Sequence, residues 1–242
     1  MISNNEIKYI KTLHQKKYRD AEGLFIVEGI KVVEELIQSD FEVEKIFGTQ
    51  DILEKLGAKG EEISLKELER ISMQQSPSGV LALVKQKHFD LDIDSIENKF
   101  SILLCNANDP GNLGTIIRLA DWFGIDQIIC SENSVDMYNP KVVQSSMGSI
   151  FRVAVVYSNL EKLLKEVKST VPIYGAFMEG ENLYNIEKLK KGLVVFGSES
   201  HGIPEEIEQL VKIKFTIPKI GRAESLNLAV AVAITCSEFT RP

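Results

Sequence analysis

Three polar, glycine-containing segments carry the side chains whose types and spacing could do chemistry in this sequence. The first, NANDPGNLGTIIR (106–118), holds an amide, Asn112, placed to cap a helix opening after Pro110 and Gly111. Six residues later it holds a cation, Arg118, among the apolar neighbours Ile116, Ile117, Leu119 and Ala120. The plain structural reading is an exposed helical charge, yet a cation on so apolar a helix needs a partner. The second segment, LVVFGSESHGIP (193–204), runs a buried strand into a glycine-flanked turn bearing Glu199 and His201. Glu199 reads as a carboxylate at a helix N-terminus, His201 as an exposed loop side chain. The third, FTIPKIGRAESLNLAVAVAI (215–234), sets Ser225 and Asn227 before an Ala/Val-rich helix, with Ser225 a natural N-cap.

Several chemistries are excluded by spacing. A nucleophile elbow needs serine between two glycines, but Ser200 has Ser198 rather than glycine two positions before it. That disfavours a serine hydrolase. No G-x-G-x-x-G opens the helix after the first segment, and no G-x-x-x-x-G-K-[ST] occurs, so dinucleotide and P-loop sites are not indicated. Cys105, Cys130 and Cys236 form no C-x-x-C pair. Buried reduced thiols are expected, with neither a metal site nor a disulfide framework.

The elements that must position these groups follow from periodicity. From Ser101 onward, short apolar runs (SILLCNA, QIICSE, VAVVY, PIYGAFM, LVVFGSE, KFTIPK) alternate with amphipathic stretches (GTIIRLADWFG, KVVQSSMGSIF, LEKLLKEV, PEEIEQLV). This predicts an α/β domain on a mostly parallel sheet, whose ligands bind beyond the carboxyl ends of the strands, where all three segments lie. The first half is a looser α/β pattern: a basic amphipathic helix over 7–17, FIVEG running into IKVVEELIQ, and strands VEKIFGT and VLALVKQ. The acidic stretch HFDLDIDSIENKF places a boundary near residue 95, giving domains 1–95 and 96–242. Ala229, Ala231 and Ala233 imply a final helix covered closely on both sides, with a dimer partner the obvious cover.

The chain has 28 basic and 35 acidic residues, a net charge of −7, which argues against a surface that adheres to nucleic acid everywhere. Two basic clusters stand out locally. One is Lys8, Lys11, Lys16, Lys17 and Arg19; the other is Lys212, Lys214, Lys219 and Arg222. The start is polar from its third residue and no window approaches the roughly 20 apolar residues of a membrane span. A cytoplasmic protein with no membrane partner is the expectation.

Together the three segments resemble the motifs of the SpoU (TrmH) family of RNA ribose 2′-O-methyltransferases in the SPOUT superfamily. N-x-x-D-P-G-N-x-G-x-x-x-R ends at Arg118, G-x-E-x-x-G ends at Gly202, and I-P-x-x-G-x-x-x-S-L-N ends at Asn227. SSMGSIFRV (145–153) is similar to the family's segment between its first and second motifs, and only Ser200, where many relatives have glycine, departs from the pattern. The start, YIKTLHQKKYRDAEGLFIVEG, is similar to a substrate-binding α/β domain shared with some large-subunit ribosomal proteins. The resemblance implies a parallel sheet with a deep C-terminal trefoil knot, a homodimer whose interface includes the last helix, and S-adenosylmethionine as cofactor, with no metal. It implies cofactor contacts at Gly197, Ile217 and Leu226, and a polar catalytic site of Asn112, Arg118, Glu199, Ser225 and Asn227. Arg118 is then either base or cationic clamp, the clamp suiting a guanidinium that stays protonated. RNA is the implied partner, rRNA favoured over tRNA, and a non-catalytic RNA-binding relative is the rival reading.

Overall fold

The computed structural model describes residues 2–188 and 191–241, which fall into two compact units. One comprises the residues up to His88 together with Asp136–Arg152; the other comprises Phe89–Val135 and the residues from Val153 onward.

The first unit is built on strands β1 (Leu24–Glu28), β2 (Val43–Gly48), β3 (Glu61–Glu62) and β4 (Val80–Lys85), in the order β1-β4-β2-β3. β4 runs antiparallel to both β1 and β2. The near-continuous apolar runs of β1 and β4 mark strands covered on both faces. One core cluster gathers Ile7, Ile10, Leu13, Ile26, Phe47 and Leu81. The single basic helix expected over 7–17 is instead two, Asn4–Thr12 and Lys16–Glu22. Arg19 explains the break. Its buried guanidinium takes the carbonyls of Leu13 and His14 at 3.1 and 3.0 Å and pairs with Asp136 at 2.6 Å. It is therefore an internal tie and no part of the basic surface, which keeps Lys8, Lys11, Lys16 and Lys17 exposed.

The sequence pattern divides the chain once, near residue 95, whereas the compact units part after His88 and return Asp136–Arg152 to the first. The reason is packing. The Tyr138 ring lies 4.4 Å from that of Phe25, Phe151 sits 5.2 Å from Phe41, and the Tyr138 hydroxyl donates to the Lys87 carbonyl at 2.5 Å.

The second unit carries β5 (Phe100–Leu104), β6 (Gln127–Ser131), β7 (Ala154–Ser158), β8 (Ile173–Asn182), β9 (Gly192–Phe196) and β10 (Ile213–Thr216). Their order is β10-β8-β9-β5-β6-β7 and every pairing is parallel. All carboxyl ends thus lie along one edge of the sheet. β5 and β9 are adjacent and in register, Leu104 opposite Phe196, so the chain leaves both at the same level. β10 stands three strand steps from β5, about 14 Å. The eleven residues 217–227, with a reach of about 36 Å, span that comfortably. The last helix, Leu228–Thr240, packs along the helix Pro110–Phe123 and buries Val232, Cys236 and Phe239, the last against Phe100 and Tyr174 at 5.1 and 4.9 Å. Among the described residues its outer side stays open: Val230 remains 46% exposed and Trp122 on the neighbouring helix 83%.

Candidate functional site

Backbone geometry explains the glycines first. A methyl carbon added to Gly197 would lie 2.0 Å from the carbonyl carbon of Gly202, so the turn after β9 closes only over a glycine. Ser198 and Gly202 exchange backbone hydrogen bonds of 3.1 and 2.9 Å across it, and the His201 amide donates to the Ser198 hydroxyl at 3.2 Å. Glu199 is thereby carried outward at the tip, and His201 is an exposed loop residue as expected. After β5, Asn106 adopts a left-handed conformation (φ 52°) that Asn tolerates better than most residues. The Ser131 hydroxyl accepts from its amide at 2.8 Å and donates to its side chain at 3.2 Å.

The next helix, Pro110–Phe123, is capped by Asp109, which accepts from the Asn112 amide at 2.8 Å, with Pro110 in the first helical position. Asn112 is thus not the cap, and its side chain is free to reach outward. Likewise Asn227, rather than Ser225, caps the last helix, its Oδ1 accepting from Ala229 and Val230 at 3.0 and 3.3 Å. Both asparagines then enter one chain of bonds. Asn227 Nδ2 donates to Asn112 Oδ1 at 3.0 Å, and Asn112 Nδ2 donates to Glu199 Oε1. Each linking bond runs from an amide nitrogen to an oxygen, which fixes both amide orientations and ties the three segments together.

Arg118 and Ser225 stand outside that chain. Both are exposed, and among the described residues neither side chain is paired. Six helical residues separate Arg118 from Asn112, about 9 Å along the axis and a third of the circumference round. The expectation that Arg118 needs a partner within a covered helix is corrected: it lies on the open face with Thr115 and Trp122. Of the expected cofactor residues, Gly197 lies in the turn, Ile217 follows β10 half-buried, and Leu226 is exposed just before the cap. In the second basic cluster, Lys214 pairs with Glu208 at 2.5 Å and Lys212 donates to the Ser169 and Val171 carbonyls, leaving Lys219 and Arg222 as exposed charges on the loop.

All three cysteines are buried, and burial pushes each thiol up to about 12. They are inert packing groups, as the sequence suggested. Among the described residues no group of three or more potential metal ligands comes together, and no helix is long and apolar enough to cross a membrane. The structural roles of Asn106, Asp109 and Ser131 escaped the sequence reading. For Asp109 a signal was present: Asp followed by Pro is an N-cap and first-turn signature.

Comparison with known proteins adds independent findings. Residues 99–237 match the model of the SpoU rRNA Methylase family, and residues 4–82 that of the MRM3-like substrate binding domain. The 23S rRNA (guanosine(2553)-2′-O)-methyltransferase RlmP of Bacillus subtilis is 30% identical over 239 residues, spanning 96% of this chain and 94% of its own. A structure assigned to the TrmH family of RNA methyltransferases, from Porphyromonas gingivalis, superposes with a TM-score of 0.88 at 35% identity, covering 99% of this chain and 98% of its own. An AdoMet-bound rRNA methyltransferase from Sinorhizobium meliloti gives 0.87 at 28% identity, covering 100% and 96%.

Proposed function

Because the chain belongs to the SpoU rRNA Methylase family, we propose that it transfers a methyl group from S-adenosylmethionine to a ribose 2′-hydroxyl of RNA, rRNA in preference to tRNA. The observation that carries this reading is the hydrogen-bond chain Asn227–Asn112–Glu199, which draws the three motif segments into one polar site at the carboxyl edge of a parallel sheet. Such pre-oriented dipoles are the apparatus of a transfer enzyme and favour catalysis over a binding protein that has lost its chemistry.

The chain offers a fit for the cofactor. The loop 217–227 keeps its backbone out of strand and helix, presents the apolar Ile217 and Leu226, and leaves open space around Gly221. Gly197, Ile217 and Leu226 would hold it there, largely through backbone groups. When bound, S-adenosylmethionine would supply a methyl group on a sulfonium, so that transfer forms an oxygen–carbon bond, breaks the carbon–sulfur bond to leave a neutral thioether, and passes the hydroxyl proton to solvent water. Asn112 and Asn227 orient the ribose, Glu199 fixes the Asn112 amide, and Ser225 offers a further hydroxyl. Arg118 is an almost permanent cation standing about 9 Å along its helix from Asn112. That separation suits a clamp on a phosphate beside the target ribose, stabilising the developing alkoxide, better than a base.

The proposal includes a homodimer, supported by the exposed Trp122 and Val230 beside the alanine face, the trefoil knot that the family resemblance implies, and the cytoplasmic location expected from the sequence. It also includes a division of labour in which the first unit, with its exposed Lys8, Lys11 and Lys17, meets the RNA backbone. The deciding experiment maps 2′-O-methyl sites in total RNA from cells with and without the protein. Loss of one rRNA site on deletion, restored by the wild type and not by Arg118→Ala, is the expected result; an unchanged map would refute it.

A further inference from the structure

A cavity of about 230 Å³ in the first unit is used by nothing described so far. It is smaller than the roughly 300–1,000 Å³ of a drug-sized ligand site, and suits a single planar ring system. Ile26, Met73, Pro140 and Val143 give it apolar walls. Glu28, Lys141 and Gln144 supply its polar groups, Lys141 and Gln144 from an exposed helix face and Glu28 from the half-buried end of β1. Glu28 belongs to FIVEG and Gln144 to the stretch before SSMG, two sequence features that the catalytic site did not absorb.

The carboxylate is held firmly. The Ser72 hydroxyl donates to Glu28 Oε2, and the Met73 amide donates to Oε1 at 3.1 Å. Each oxygen accepts one of these bonds and retains a second lone pair, so the carboxylate that lines the cavity keeps two adjacent acceptor positions. A ligand for it must be flat, largely apolar on its faces, and carry two neighbouring N–H donors on one edge. Among nucleobases only guanine offers that pair, N1–H and N2–H. Lysine on the rim matches a flanking phosphate, and an amide can donate to the remaining O6. Unpaired bases held between apolar side chains and read on the Watson–Crick edge are the usual currency of sequence-specific RNA recognition.

We propose that this cavity receives one unpaired guanine of the RNA, with Glu28 accepting from N1–H and N2–H, Gln144 donating to O6 and Lys141 meeting the adjacent phosphate. The inference rests on the reading of this chain as an enzyme acting on RNA, and it adds a base-specific subsite away from the catalytic residues. It makes Glu28 and Gln144 determinants of specificity rather than of methyl transfer.

The test measures binding of labelled heptauridine RNAs carrying a central guanosine, inosine or adenosine to the full-length protein. A bidentate base contact predicts roughly ten-fold or greater preference for guanosine over adenosine, with inosine, which lacks the 2-amino group, between them. Glu28→Gln, which replaces one acceptor with a donor, should erase the preference. Gln144→Trp, on an exposed position, should fill the cavity and bring the guanosine RNA down to the adenosine level. Affinity for S-adenosylmethionine should stay within two-fold in both variants, reporting an intact fold, and if Glu28→Gln does not fold, Gln144→Trp decides. Equal wild-type binding of guanosine and adenosine RNAs, or a preference surviving in a folded variant, overturns the subsite while leaving the RNA reading in place. Failure to bind any of the three RNAs overturns both.

Discussion

Asn112 shows how much one side chain can be asked to do. It accepts from Asn227 and donates to Glu199, so replacing it by aspartate removes a donor and sets two carboxylates face to face. Methyl transfer should fall roughly ten- to a hundred-fold in Asn112→Asp, the size of one lost charge-assisted hydrogen bond, as a kcat measurement on the mapped RNA would read. Arg118→Ala should cut transfer at least as far while cofactor affinity, followed by calorimetry, stays within a few-fold, since it belongs to the helix Pro110–Phe123 and not to the loops proposed to hold the cofactor. Arg118→Lys keeps the charge and loses the planar fork, so the clamp predicts partial activity with weakened RNA binding. His14 gives a readout of stability alone. Burial lowers its imidazole below the ordinary 6.5, against a backbone hydrogen bond at Ile71 and with help from the Lys11 and Arg19 charges. The unfolded chain then binds a proton that the folded one refuses. Stability is full above pH 6.5 and declines as pH drops towards the folded value. Melting temperatures across pH 7.5–5.5 should fall for the wild type and flatten in His14→Gln.

At the scale of elements, the turn after β9 is fixed by contact distance. Gly197→Ala forces a carbon to within 2.0 Å of Gly202, so the turn must open. We expect a melting temperature several degrees lower and loss of S-adenosylmethionine binding, whereas retention of both would show that the loop tolerates a different path. The strands and most helices were legible in the sequence because parallel strands buried on both faces read as plain apolar runs, as LVVF and IIC do. The glycine and asparagine positions of the three segments were legible too, though only as a pattern. What sequence could not arbitrate was the choice between neighbours of equal propensity. Ser225 and Asn227 are both good caps, as are Asp109 and Asn112, and in each case the winner depends on a bond to a residue more than a hundred positions away or on the proline that follows. Arg19 was read as surface charge for the same reason, its partner Asp136 lying 117 residues on.

For the whole molecule, the discontinuous first unit sets the terms of any dissection. A fragment lacking the residues up to His88 leaves Tyr138, Val142 and Phe151 without the surfaces they pack on. It should scatter light and bind hydrophobic dyes, while replacing those three residues with polar ones should restore solubility and S-adenosylmethionine binding. Assembly is testable separately. Sedimentation should give twice the 27.1 kDa chain mass, and Trp122→Glu with Val230→Glu should return the monomer.

The tie between Arg19 and Asp136 also governs when the protein can finish folding on the ribosome. At roughly 5–20 residues per second, the 117 residues between them take about 6–23 s to synthesise. Throughout that interval the nascent amino-terminal segment holds a cation destined for burial with no carboxylate to receive it, and Phe25 and Phe41 lack their aromatic covers. The amino-terminal unit, first to be translated, is therefore among the later parts to close, and nascent-chain folding should register a step only after residue 152 has cleared the exit tunnel.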